Sequence, residues 1–271
     1  MQTLIRVISM EKSKDRRRTF AANAQTNLEW SFFDAHETLD SRLSYNPSQA
    51  MLAIGTTLTQ GELGCYSSHF TVWREFLDSS SEQLIVLEDD VVLDWRYLEF
   101  LIGYNLSELG IQYLRLFAKR PAPFRVVVPQ FLEFNHDLIQ FIGYAWGTQG
   151  YLLTRAGAQQ FVHHLQVVRR NVDSSMDRAW HHGIANLAIF PFPLFELMGP
   201  SSIESSRFEA REIPLSWRLK RFPYQVLERA KRKFGNRNVG PTISAAARRE
   251  PRDYGREGQQ RKTGPNLPIR R

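Results

Sequence analysis

Hydrophobic and polar positions alternate along this chain in short blocks, and the clearest block is Gln83-Leu84-Ile85-Val86-Leu87-Glu88-Asp89-Asp90. Four apolar residues run without a break into three carboxylates. A short unbroken apolar run is the signature of a strand buried on both faces, as in a parallel sheet. Residues 4–9 and 30–35 read as earlier strands, and residues 111–117 alternate as a strand does. Residues 125–128, bracketed by Pro121, Pro123 and Pro129, and residues 138–142, 151–154 and 188–190 complete the strand set. Helical spacing follows residue 11 to Ala24, and recurs over 59–77, 95–104 (a surface helix) and 156–165. Residues 36–58 show no regular pattern and read as a loop with one short helix. Pro191, Pro193 and Pro200 end the regular pattern.

Local chemistry refines several of these elements. Thr59 and Glu62 have capping-box spacing, so a helix starts there and buries Val72, Trp73, Phe76 and Leu77. Gly61 and Gly64 each cost about 1 kcal/mol against Ala so early in a helix, which points to close approach of a ligand or another backbone. His69 alone is as well read as a packed or surface histidine. Cys65 reads as a small buried hydrophobe, with no cation beside it in sequence. The segment Gly143-Tyr144-Ala145-Trp146-Gly147-Thr148-Gln149-Gly150 suits either a tight strand connection or a sugar-stacking wall. Asp173 is a good N-cap, and Asp177, four residues on, faces the same way if the helix holds.

The acidic triplet ends a strand, where open α/β sheets bind ligands. Adjacent carboxylates suit a hard divalent cation with phosphate oxygens, or simply a solvated strand exit. The cationic stretch 11–18 suits either a nucleotide diphosphate or the exposed turn of a helix. The chain has 271 residues, 42% of them hydrophobic, enough for one α/β domain with a sizeable core plus a tail. One cysteine excludes an internal disulfide and fits a reducing compartment. No leader-like apolar segment opens the chain, and no apolar run approaches a membrane span. Charge divides sharply. Residues 211–271 hold 17 Lys and Arg against 5 Asp and Glu, net +12, whereas residues 1–210 hold 18 against 23, net −5. The expected organisation is therefore a domain over 1–210 and a basic segment over 211–271.

Taken in order, these segments resemble bacterial glycosyltransferase family 25, which includes lipopolysaccharide and lipooligosaccharide galactosyltransferases. The resemblance rests on the strand and charged turn of residues 7–17, on Phe33-Asp34-Ala35, and on residues 58–65 with Ser68-His69. It continues through Leu87-Glu88-Asp89-Asp90, Gly147-Thr148 to Tyr151, Arg155-Ala156-Gly157-Ala158, and Val172-Asp173 with Asp177-Arg178. It spans roughly 4–205. The turn after the first strand departs from the family's Asn-Leu-Asp-Arg, reading Ser9-Met10-Glu11-Lys12. Ser174 and Ser175 also follow Asp173 where the family is more acidic.

The resemblance implies a GT-A-like, Rossmann-like nucleotide-sugar-binding domain and an inverting transfer, most often of galactose in the family, from a UDP-sugar to a lipid-linked glycan of the lipopolysaccharide type. Glu88 and Asp90 take the outer positions of an Asp-x-Asp-like motif and would hold Mn²⁺ or Mg²⁺. Asp89, Arg16, Glu62, Ser68 and His69 would serve the donor, and Asp173 or Asp177 the acceptor hydroxyl as base. A metal-dependent phosphohydrolase and a non-catalytic binding protein are the rival readings. A nucleic-acid partner is not expected, since the acidic body offers no matching groove. In residues 215–234 Trp217, Leu219, Phe222, Val226, Leu227 and Phe234 mix with seven basic residues, and Pro223 splits them into two short segments. That mixture suits an anionic membrane surface or packing on the body, with disorder beyond Gly235. The expected location is cytoplasmic, either free in solution or peripheral on the inner face of the cell membrane.

Overall fold

The computed structural model describes residues 2–197 and 214–248. The chain opens with β1 (Thr3–Ser9), α1 (Lys14–Asn23), β2 (Ser31–Asp34), β3 (Ser44–Tyr45), α2 (Pro47–Ile54) and α3 (Gln60–Asp78). It continues with β4 (Gln83–Glu88), β5 (Val91–Leu93), α4 (Trp95–Leu101), β6 (Tyr113–Arg115), β7 (Phe124–Val128) and β8 (Asp137–Phe141). Then come β9 (Gly150–Thr154), α5 (Arg155–His164), β10 (Val167–Val168), α6 (Val172–Met176), α7 (Ala179–His182), β11 (Leu187–Phe190), β12 (Leu194–Glu196) and α8 (Leu215–Ala230). Eight strands form one sheet in the order β2-β1-β4-β9-β6-β11-β8-β7. The sheet is mixed: β2, β1 and β4 run parallel, while β9 lies antiparallel between β4 and β6.

The pleat of β4 fixes the site. Ile85 and Leu87 pack toward Phe20 of α1 and Leu98 of α4, whereas Leu84 and Val86 pack toward Phe70 and Trp73 of α3 and Phe161 of α5. Burying each such side chain contributes about 1.5–3 kcal/mol, so the strand is clamped from both sides. Its parity then sends Glu88 to the α3 face and Asp89 to the α1 face.

α3 begins with the capping box that its sequence encodes, Thr59 and Glu62 each accepting the other's backbone N–H. Gly64 is where another backbone approaches. A Cβ there would lie 2.3 Å from the His36 carbonyl oxygen. Gly64→Ala should therefore destabilise the fold by about 1–3 kcal/mol despite its better helix propensity, read by urea denaturation. Unchanged or raised stability would show that the 36–37 backbone yields freely.

Three expectations are corrected, and a fourth is filled in. The helix over 95–104 is not a surface helix, for Trp95, Tyr97, Leu98 and Leu101 are buried. The one short helix expected within residues 36–58 is α2, capped by Asn46, begun by Pro47 and ended by Gly55 at φ 86°, and only the two-residue strand β3 is added to the expected loop. Pro223 does not split residues 215–234 at its own position. It sits exposed on the solvent side of one helix, α8, where water can serve the carbonyl it leaves free. Residues 236–248 are ordered on the body: Asn236 is buried and donates to the Ile142 and Asp177 carbonyls. Pro200, the boundary at 210–211 and the tail from 249 onward lie outside the described residues.

Candidate active site

The C-terminal ends of β1 and β4 and the first turns of α1 and α3 enclose a cleft of about 470 Å³. Ser9, Lys12, Arg16, Gln60, Ser68, His69, Glu88 and Asp89 are among its walls. A smaller cleft of about 100 Å³ adjoins it, sharing Cys65 and Glu88 and adding Asp90, Lys119, Asp173 and Glu196. Glu88 thus stands between two spaces.

The acidic triplet is divided by the sheet. Asp89 accepts from Ser9 Oγ at 2.6 Å, and Arg16 Nη2 reaches Asp89 Oδ1 at 2.6 Å and Asp90 Oδ2 as well. Arg17 ties Ser9 and Asp34 together and so locks the ends of β1 and β2. On the other face Glu88 Oε1 accepts from Thr148 Oγ1 at 2.5 Å. Burial first, and the Asp90 charge second, push the Glu88 carboxyl up to about 8. Asp90 moves upward for the same first reason, opposed by Arg16.

His69 is fully buried, and burial brings its pKa down to about 3. Tyr151 Oη accepts from Trp73 Nε1 at 2.8 Å and lies 2.8 Å from His69 Nδ1. Trp can only donate, so the phenol hydrogen is free to serve Nδ1, which leaves the ring hydrogen on Nε2. That Nε2 lies 3.9 Å from Glu88 Oε1 and has no hydrogen-bond partner among the described residues.

The remaining sequence-derived residues divide between cleft and scaffold. Arg16, Ser68, His69 and Asp89 line the larger cleft, and Glu62, Asp90 and Asp173 the smaller. Ser68 Oγ is engaged by the Gly64 carbonyl and the His36 N–H, and Glu62 by Thr59 and by Asn171 Nδ2 at 2.8 Å. Asp173 is not the N-cap expected of it, for α6 starts after Asn171. It is half-buried, and its Oδ2 takes only a long 3.3 Å bond from Gly147 N.

Asp177 does not share that surface. It is 0% exposed and accepts from Arg115 Nη2, Asn186 Nδ2 and Trp146 N at 2.7–2.8 Å. Closed in by three donors, it has no path to an acceptor hydroxyl. Arg115 also donates to the Trp146 and Gly147 carbonyls, bracing a turn where Trp146 has φ 49° and Gly147 φ 85°. Arg115 and Glu196 were not among the residues singled out from sequence, and Thr148 and Tyr151 entered only within a motif, with no role of their own. A charged residue inside the alternating strand over 111–117 was the available signal for Arg115.

Two observations fit a divalent cation here: Asp90 Oδ1 is buried without a hydrogen-bond partner among the described residues, and Glu88 is crowded by like charge. Among the described residues no group of three or more His, Cys, Asp or Glu side chains is arranged to hold a metal. With so few protein ligands at hand, a cation here would need phosphate oxygens and water to complete its coordination.

The model of glycosyltransferase family 25 (LPS biosynthesis protein) matches residues 2–176. Procollagen galactosyltransferase 2 of Homo sapiens is 30% identical over 107 residues, 39% of this chain and 17% of that protein. The lipooligosaccharide biosynthesis protein lex-1 of Haemophilus influenzae is 28% identical over 117 residues, 40% of this chain and 38% of that protein. Inactive glycosyltransferase 25 family member 3 of Homo sapiens is 30% identical over 112 residues, 40% of this chain and 18% of that protein. The chain therefore spans less than two fifths of each of these relatives. The family match runs from β1 through the acidic strand end to Asp173, well over half of the sequence, and on that ground the chain belongs to glycosyltransferase family 25.

Proposed function

We propose that this chain transfers a sugar, galactose by resemblance to its relatives, from a UDP-sugar to a hydroxyl of a lipopolysaccharide-type, lipid-linked glycan, with inversion. The observation that carries the reading is the pair of adjoining clefts meeting at Glu88, in the part of the chain that matches the family. The larger cleft suits the nucleotide diphosphate, with Lys12 and Arg16 as cations at its wall. The smaller cleft suits the acceptor, with Asp173 at its wall as general base. Asp173 would take the acceptor proton as the new bond forms, and its long bond to Gly147 N leaves a lone pair available.

Asp90 and Glu88 would hold Mn²⁺ or Mg²⁺, which when bound supplies Lewis-acid stabilisation of the departing diphosphate. His69 Nε2 would steady Glu88 from the α3 side. A second reading, a binding protein without turnover, draws support from Arg16, which already neutralises Asp89 and Asp90, and from a relative named inactive.

A panel of UDP-sugars with Mn²⁺ and a lipooligosaccharide acceptor separates these readings. Sugar on the acceptor supports transfer; phosphate release alone supports a hydrolase; donor binding without product supports the binding protein. In the same assay Asp90→Asn should keep the fold and lose about 10²-fold or more of metal-dependent turnover, because a near-isosteric change removes the anionic ligand. Near-normal turnover with Mn²⁺ would remove the acidic triplet from the metal assignment.

A further inference from the structure

α8 faces the wrong way for a helix that only supports a core. Leu215, Leu219, Phe222 and Val226 recur at intervals of four, three and four residues, the spacing of one helix face. They are 70, 68, 67 and 49% exposed. The opposite face carries the polar anchors. Arg221 Nε donates to the Leu52 carbonyl at 3.2 Å, and Glu228 accepts from Arg170, Arg178 and Tyr144 at 2.8–2.9 Å. Tyr224 Oη accepts from Arg170 at 2.8 Å. The helix is thus pinned by its charged side and presents its apolar stripe to solvent.

Contiguous exposed apolar side chains mark an interaction surface. Charge selects the partner. Arg218 and Arg229 border the stripe, and Lys220, Lys231 and Lys233 are exposed on the same helical segment, with Phe234 60% exposed. A second copy meeting the stripe symmetrically would set these cations against themselves. An anionic lipid surface satisfies both features: the apolar side chains enter the acyl boundary and the cations meet the headgroups.

We propose that the outward face of α8 is a docking surface for an anionic lipid bilayer. Because the inner face is fixed to α2 and to Arg170 and Arg178 on either side of α6, docking also fixes the attitude of the protein on the bilayer. The proposal stands whether or not the transferase reading holds, since it uses none of the cleft residues. No helix among the described residues is long and apolar enough to cross a membrane, so the contact is one of surface.

The test is co-sedimentation of the full chain with phosphatidylglycerol–phosphatidylcholine vesicles and with pure phosphatidylcholine vesicles, at low and high salt. The expected result is binding to the anionic vesicles at low salt. A Leu219→Ser, Phe222→Ser double variant should bind roughly tenfold more weakly or worse, with an unchanged thermal melt because both side chains are exposed. An Arg218→Gln, Arg229→Gln double variant should narrow the preference for anionic over neutral vesicles. Three results would overturn the proposal: no binding at low salt, equal binding by the apolar double variant, or a lipid-free dimer of the wild type that the apolar double variant dissolves.

Discussion

Asp173→Asn is expected to lower turnover by about 10²–10⁴-fold with little change in the KM for the donor, the range a positioned general base contributes. Asn occupies nearly the same volume, and its carbonyl oxygen still accepts from the Ser174 N–H, which Asp173 Oδ1 now does at 2.6 Å. What disappears is the capacity to take a proton in the cleft that also holds Glu88 and Asp90. Steady-state kinetics with separate variation of donor and acceptor, beside a thermal melt, make the distinction. Normal turnover would leave Asp173 as a structural acceptor for the α6 turn and return the search for a base to other residues of the cleft.

Asp177→Ala is expected to act on folding instead, costing about 3–5 kcal/mol, because it leaves Arg115 buried without its counter-charge. Arg115 is 1% exposed, so water cannot enter to compensate. The same change frees the Trp146 N–H and the Asn186 amide, which Asp177 now receives. Urea denaturation reads the loss. Replacing both partners by apolar residues, Arg115→Met with Asp177→Leu, should recover only part of it. The Trp146 and Gly147 carbonyls would still lack the donor that holds their left-handed turn. A cost below about 1 kcal/mol for the single variant would mean that the network is wetter than its burial implies.

These two aspartates show where sequence reading stops. Both stand four residues apart on a short helix, and nothing local separates them. One is fixed by Arg115, 62 residues away, and the other opens to a cleft. Features written in neighbouring residues were legible: the unbroken apolar run of β4, the Thr59–Glu62 cap, and the close approach at Gly64. α2 was expected only as one short helix without bounds, because eight residues are too few for periodicity to place, although Asn46, Pro47 and Gly55 mark its ends. Long-range features were not. The split of Glu88 and Asp89 between two sheet faces follows from pleat parity only once the helices on each face are known. Pro223 signalled a break, and the helix continues through it because its free carbonyl can face water.

The anchor at Glu228 has a consequence for the order in which the protein is made. Arg170 and Arg178 flank α6, the helix of Asp173, and their partner lies in α8; Asn236, farther still, closes on the Asp177 carbonyl. During synthesis at about 5–20 residues per second, residue 236 emerges roughly 3–12 s after residue 178. Over that interval the sheet can assemble, while the guanidiniums of Arg170 and Arg178, on either side of the helix of the candidate base, wait for their carboxylate. Among the described residues the wall of the acceptor cleft therefore sets late, and a chain cut between residues 197 and 228 would carry every strand of the sheet but lack the carboxylate that completes the site.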